Sequence, residues 1–178
     1  TSTYYIRELE PPADHKLNDT VYTVNVNYSE NKTEFTFTGN NGNDGVIYND
    51  LLGNVTIHKQ GSWQSINDQA KTAVDLEGVG FSLYKVDKAG ETHTEGAVAD
   101  ATMTTDSQGI ATSKRLPAGW YELVETDVPE EYTQAESYWV QISDNGTTTT
   151  LYNADGTTQA DNIITNIPVK GNFTLYKY

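Results

Sequence analysis

The sequence predicts an all-β protein built from β-sandwich domains, and three observations carry that reading. Short runs of alternating apolar and polar residues recur along the chain, as in strands with one face in a core. Asn-Gly, Asp-Gly and Gly-Asn pairs at 41–45, 145–146 and 155–156 punctuate the runs, and such pairs favour tight hairpin turns. Thr (25 residues) and Tyr (12) fill a deficit of aliphatic residues, and both suit a pleated, half-buried surface.

The clearest strands, in chain order, are Val21–Tyr28 (VYTVNVNY), Thr33–Thr38 (TEFTFT), Asn54–Lys59 (NVTIHK), Gly80–Val86 (GFSLYKV), Trp120–Glu125 (WYELVE) and Tyr138–Ser143 (YWVQIS). In the last of these Trp139 is out of phase with Tyr138 and Val140, which predicts that one face is partly exposed. No stretch has a convincing helical period; Ser62–Ala73 is read as a turn or two of helix.

Composition excludes several functions. Among 178 residues, 25 acidic side chains face 11 basic ones, a net charge of −14. A chain this acidic, with no basic stripe, is a poor partner for nucleic acid or an anionic membrane surface. No apolar run approaches the roughly 18 residues of a membrane helix, so membrane insertion is not expected, and nothing at the N-terminus reads as a signal peptide. There is no Cys, and His15, His58 and His93 are scattered, so neither thiol chemistry nor an ordinary zinc site is expected. Asp100 with Asp106, and Asp155 with Asp161, lack an EF-hand spacing and read as solvated loops. No metal or other cofactor is expected.

The chain also repeats itself. Tyr4-Tyr5-Ile6-Arg7-Glu8 with Pro12 matches Tyr121-Glu122-Leu123-Val124-Glu125 with Pro129. Ile47-Tyr48-Asn49 matches Ile164-Thr165-Asn166, and Asn54–Lys59 matches Asn172–Lys177. Glu8 to Glu125 and Asn49 to Asn166 are each 117 residues apart, and Lys59 to Lys177 is 118. One period kept by three motifs indicates a tandem array. Its register gives the C-terminal part of one domain at 1–53, a complete domain at 54–169, and a linker with the first strand of a following domain at 170–178. On this reading the chain is a segment of a longer array.

Strand parity makes the repeated polar residues chemically interesting. Val55, Ile57 and Lys59 share a face, as do Tyr121, Leu123 and Glu125, and likewise Ile164 and Asn166. Each polar group ends an apolar row, so the three should meet in the core, where a lone charge is too costly. Burial favours the uncharged forms of an amine and a carboxyl alike. The amine can then attack the Asn side-chain carbonyl while the acid moves a proton to the departing ammonia. The product is a Lys–Asn isopeptide bond, with fixed proximity supplying the rate.

The run Thr104-Thr105-Asp106-Ser107-Gln108-Gly109, followed by Leu116-Pro117-Ala118-Gly119-Trp120-Tyr121-Glu122-Leu123-Val124-Glu125-Thr126-Asp127-Val128-Pro129-Glu130-Glu131-Tyr132, resembles the core signature of CnaB-type domains. These are the collagen-adhesin B-region and pilin domains of Gram-positive surface proteins. Val128 and Glu131 depart mildly from that signature, where the family has Ala and Gly. Leu76–Tyr84 is similar to the family's second strand. The weaker copy at 1–53 keeps Tyr4, Ile6, Glu8, Pro12 and Asn49, with Leu9 and Pro11 where the family has Thr and Ala. The resemblance implies an immunoglobulin-like (reverse Ig, CnaB-type) sandwich, with Lys59 as nucleophile, Asn166 as electrophile and Glu125 as proton shuttle. Lys85 is the rival nucleophile by parity, but only Lys59 has a counterpart one period away. Glu8, Asn49 and Lys177 form a possible second site.

The function expected from the resemblance is structural. The chain reads as a stalk or pilin-shaft segment of a Gram-positive surface adhesin, extracellular and anchored in the cell wall or pilus. Its partners would be neighbouring CnaB-like domains or pilus subunits. The alternative is a module that itself binds a host extracellular protein or glycan, for which Trp63, Trp120 and Trp139 are candidate surface aromatics. A turnover enzyme is disfavoured, because there is no Ser-His-Asp set, phosphate loop or metal cluster, and the Lys–Asn reaction occurs once per molecule.

Overall fold

Alternation places the strands almost where the sequence suggests. The computed structural model describes residues 1–30, 32–38, 46–64, 71–158 and 161–169. A first sheet holds β1 (Ser2–Ile6), β2 (Tyr22–Ser29) and β3 (Lys32–Thr38) as an antiparallel meander in the order β1-β2-β3. The remaining strands are β4 (Thr56–Gln64), β5 (Lys71–Asp75), β6 (Gly80–Val86), β7 (Ala101–Thr104), β8 (Ile110–Thr112), β9 (Gly119–Asp127), β10 (Tyr138–Ile142), β11 (Thr149–Tyr152) and β12 (Ile163–Asn166). They form two sheets, one in the order β11-β10-β9-β6-β7, the other in the order β12-β4-β5 with β8 also on β4.

These two sheets enclose the core. Val55 and Ile57 point inward from the strand region of β4, Phe81 and Leu83 from β6, Tyr121 and Leu123 from β9, and Ile164 from β12; each is at most 2 % exposed. Thr56 and Thr165, between them on the smaller sheet, face solvent, which is the alternation of a sheet with one wet face; on the five-stranded sheet Ser82, Glu122 and Trp139 of the outer face are buried as well.

The predicted turn of helix at Ser62–Ala73 is corrected. β4 runs on to Gln64 and pairs antiparallel with β5, Gln60 opposite Asp75 and Ser62 opposite Ala73; residues 65–70 lie outside the described residues. The β-branched Thr72 and Val74 suit the ladder better than a helix. On β10, where one face is expected to be partly exposed, Tyr138 and Gln141 are part-exposed while Trp139 is covered. The 87–100 connection folds over the outer face of the five-stranded sheet, and the indole N–H of Trp139 donates to the Glu91 carbonyl at 2.7 Å. Trp139 is only 6 % exposed.

The β1-β2-β3 sheet is covered differently. Tyr22 is buried and stacks on Phe37 at 5.3 Å between centroids. Tyr4 and Ile6, however, are 53 % and 43 % exposed, whereas their repeat counterparts Tyr121 and Leu123 are each 1 % exposed.

Candidate functional site

Lys59 follows Val55 and Ile57 on the inward face of β4 and is fully buried. β12 lies parallel to β4 with Ile164 beside Lys59, so Asn166 comes up two residues further along the same inward face. β9, in the facing sheet, presents Glu125 after Tyr121 and Leu123. The three groups close a triangle in the buried core. Lys59 Nζ is 2.5 Å from Asn166 Oδ1 and 3.0 Å from Glu125 Oε1. Asn166 Nδ2 donates to Glu125 Oε1 at 3.0 Å and Oε2 at 3.1 Å.

The surroundings hold this arrangement. The backbone N–H of Ala135 donates to Glu125 Oε2 at 2.7 Å, and the Gln134 side chain donates to the Glu125 carbonyl. Gly61, the next inward residue after Lys59, has no side chain; a Cβ there would run into the ring of Tyr132. The missing Cβ lets that ring seal the end of the core beside the site. Burial pushes the Lys59 amine below the ordinary lysine value, although the adjacent Glu125 charge and hydrogen bond act the other way. Among the described residues no buried side-chain N or O lacks a partner.

The chemistry of the arrangement is an amine, an amide carbonyl and a carboxyl in mutual contact, all three buried. The amine already hydrogen-bonds the carbonyl it would attack, and the carboxyl touches both the amine that must lose a proton and the nitrogen that must gain one. Lys85, the rival nucleophile, does not join them. It is exposed, donates to the Ala118 carbonyl at 2.5 Å and lies 4.6 Å from the centroid of Tyr121, because β6 runs out of the core after Leu83.

The signature residues position the site from behind. Thr105 is buried; its hydroxyl donates to the Leu76 carbonyl at 2.6 Å and accepts from the Val79 N–H at 2.9 Å. Asp106 Oδ1 accepts from the N–H groups of Gln108 and Ile110, both at 2.9 Å. Gly109 has φ +70° and receives the Lys59 N–H at 2.7 Å; a Cβ there would collide with the Lys59 carbonyl. Tyr121 donates to the Pro117 carbonyl at 2.8 Å, and burial pushes its phenol up to about 12. Of the predicted loop carboxylates, Asp100 accepts from the Lys85 N–H, and Asp155 from the Thr157 N–H and hydroxyl.

Two features escaped the sequence reading. One is the Gly61–Tyr132 contact. The other is a cluster on the outer face, where Glu122 is 2 % exposed beneath His93. The His93 backbone N–H and Nδ1 each lie 2.7 Å from Glu122 Oε2, and the His93 ring stacks on Tyr84 at 3.7 Å. Burial opposes the Glu122 charge, but the His93 hydrogen bonds prevail and hold its carboxyl below the usual range.

The second predicted pair is also in contact. Asn49 Nδ2 donates to Glu8 Oε1 at 2.8 Å and Oε2 at 2.6 Å, and the Asn18 N–H donates to Glu8 Oε2 at 2.7 Å. Ala135 stands one period from Asn18 and makes the same bond to Glu125. The backbone frame repeats too. His15 N–H to Pro12 O, Lys16 N–H to Asp50 O and Leu52 N–H to Asp14 O match Tyr132 to Pro129, Thr133 to Ile167 and Val169 to Glu131, all between 2.8 and 3.1 Å. Lys177, the third member proposed for this site, lies outside the described residues.

A family model described as the SpaA prealbumin-like fold domain matches residues 53–166. The chain belongs to the SpaA domain family. The match covers both sheets of the sandwich and the whole of the Lys59–Glu125–Asn166 triangle, consistent with a CnaB-type, immunoglobulin-like fold. No curated protein matches the chain. Among solved structures, shaft pilin SpaA from Lactobacillus rhamnosus GG is 22 % identical over 68 % of this chain and 50 % of its own, with a TM-score of 0.41. GBS52, the minor pilin of Streptococcus agalactiae, is 22 % identical over 88 % of this chain and 63 % of its own, with a TM-score of 0.44. The pilus adhesin SpaC from Lactobacillus rhamnosus GG, in its open conformation, is 16 % identical over 97 % of this chain and 25 % of its own, with a TM-score of 0.46. The chain thus spans about half the length of the shaft pilin it matches.

Proposed function

We propose that the chain is a structural segment of a Gram-positive pilus or surface adhesin, and that its complete domain locks itself with a Lys59–Asn166 isopeptide bond. The observation that carries the reading is the closed, buried triangle of Lys59, Glu125 and Asn166. A proton passes from the Lys59 ammonium to Glu125, leaving a neutral amine. Nζ attacks Asn166 Cγ, Glu125 gives that proton to Nδ2 and takes up the second proton of Nζ, the Cγ–Nδ2 bond breaks, and ammonia leaves with Glu125 protonated. The amide formed and the ammonia released balance the amine and amide consumed, so no outside reactant is needed. The reaction runs once, and the chain is not a turnover enzyme.

The position of the bond suits a load-bearing role. It ties the first strand of the sandwich to the last, which lie side by side and parallel. Tension entering at β4 and leaving at β12 would pass through the bond, and the 107 residues of sequence separation between Lys59 and Asn166 would carry none. An extracellular location and neighbours of the same domain type follow from this role. The test is a tryptic digest read by tandem mass spectrometry, which should return Lys59 and Asn166 in one branched peptide. Separate peptides with an intact Lys59 amine would overturn the reading.

A further inference from the structure

We infer that Gln134 is a positioning residue for the Lys59–Asn166 linking step: its side-chain amide, with the backbone beside it, fixes the end of β9 so that the Glu125 carboxyl stays on Asn166. The inference rests on the linking chemistry proposed above. The sheet holds β9 weakly where it carries Glu125. The ladder with β10 starts at Tyr138 opposite Leu123, so Glu125 lies two residues past its end. On the other side the register with β6 skips Thr126, with Phe81 opposite Glu125 and Gly80 opposite Asp127. A bulge of that kind bends the strand and re-aims its side chains.

Three consecutive residues after β9 supply the support that the ladders lack. The Gln134 amide donates to the Glu125 carbonyl, where a longer β10 would have placed a ladder bond. The Ala135 N–H donates to Glu125 Oε2 at 2.7 Å. The Thr133 N–H and hydroxyl both donate to the carbonyl of Ile167, the residue after Asn166, at 2.9 and 3.0 Å. Residues 133–135 thus tie the strand of the acid directly to the strand of the electrophile, and they line one hollow with Asn166. Leu17 stands one period from Gln134 and has no donor to offer, whereas Asn18 keeps the backbone bond made by Ala135. Gln134 is therefore an addition to the shared frame. It is exposed, so replacing it takes no apolar group from the core. A displacement of about 1 Å between reacting groups costs about 100-fold in rate, so loosening this clasp should appear in the rate of linking.

The test uses the full chain, purified unfolded in denaturant and folded by dilution, with the branched Lys59–Asn166 tryptic peptide quantified over time. No branched peptide from the parent would overturn the linking chemistry, and this inference with it. With a parent that links, Gln134→Leu should reach the parent's far-UV circular dichroism but link about 10–100-fold more slowly at neutral pH. Gln134→Glu keeps the length and shape of the side chain, yet when ionised it only accepts, so it should be slow there too. As the pH falls from about 7 toward about 4, the new carboxyl gains a proton and can donate. Its rate relative to the parent at the same pH should then recover. Glu125 on β9, Glu136 on the same segment, Tyr138 on β10 and Lys59 on β4 are common to both proteins, so the ratio isolates position 134. This ratio also decides the matter if Gln134→Leu does not fold. Linking of a folded Gln134→Leu at the parent's rate would overturn the inference and leave the linking chemistry standing, as would a Gln134→Glu ratio that stays flat with pH.

Discussion

Replacing Asn166 with Ala removes the electrophile and leaves the Lys59–Glu125 pair facing each other at 3.0 Å, so neither charge is stranded in the core. The effect on stability can be worked from the loop that the bond closes. Lys59 and Asn166 are 107 positions apart, and by the loop-entropy relation used for disulfides a cross-link of that span stabilises by about 5 kcal/mol. A domain of this size unfolds with an entropy near 0.23 kcal/mol per kelvin, so the bond is worth about 20 °C in melting temperature. The hydrogen bonds lost with the amide add about 1–2 kcal/mol. Asn166→Ala should therefore melt about 20–30 °C below the parent in a calorimetric scan. A drop of less than about 8 °C would match the hydrogen bonds alone and refute the cross-link.

Other consequences can be checked separately. Glu125→Gln keeps the size of the side chain but cannot shuttle the proton, so the folded protein should retain the full sequence mass. Pulled in a single-molecule experiment, that variant should release about 380 Å of contour as the 107-residue span extends, while the parent should not. The proton transfer from Lys59 to Glu125 leaves the proton count of the pair unchanged, so the linking rate of freshly refolded chain should be flat through neutral pH. It should fall in alkali below the ordinary lysine value of 10.5, because burial holds the Lys59 amine lower. Gly61→Ala drives a methyl group into the Tyr132 ring; overpacking of about 1–3 kcal/mol should lower the melting temperature and slow linking.

What could be seen in the sequence follows from where the information sits. The long strands β2, β4, β6, β9 and β10 each carry several alternations, enough to reveal both their type and their inward face. β7, β8, β11 and β12 have three or four residues each, too few for a period to emerge, and they exist because a longer strand lies beside them. Lys59, Glu125 and Asn166 were legible because each ends an apolar row and each has a partner one repeat away. The Gly61–Tyr132 contact was not, since nothing local in either residue announces that one accommodates the other. The burial of Trp139 could not be read from the sequence either. Its exposure depends on the polar 87–100 connection, which shows no periodicity but anchors itself through Glu91 and His93.

The central claim is a covalent bond, and mass spectrometry of the purified protein tests it most directly. An intact mass short by one ammonia is necessary but not sufficient, because the Asn-Gly steps at 41–42 and 145–146 also lose ammonia when they cyclise. The location of the loss decides the matter. The account predicts that Lys59 and Asn166 are recovered in a single branched tryptic peptide, with no cleavage after Lys59. Full sequence mass, with Lys59 cleaved normally and Asn166 intact in a separate peptide, would contradict it.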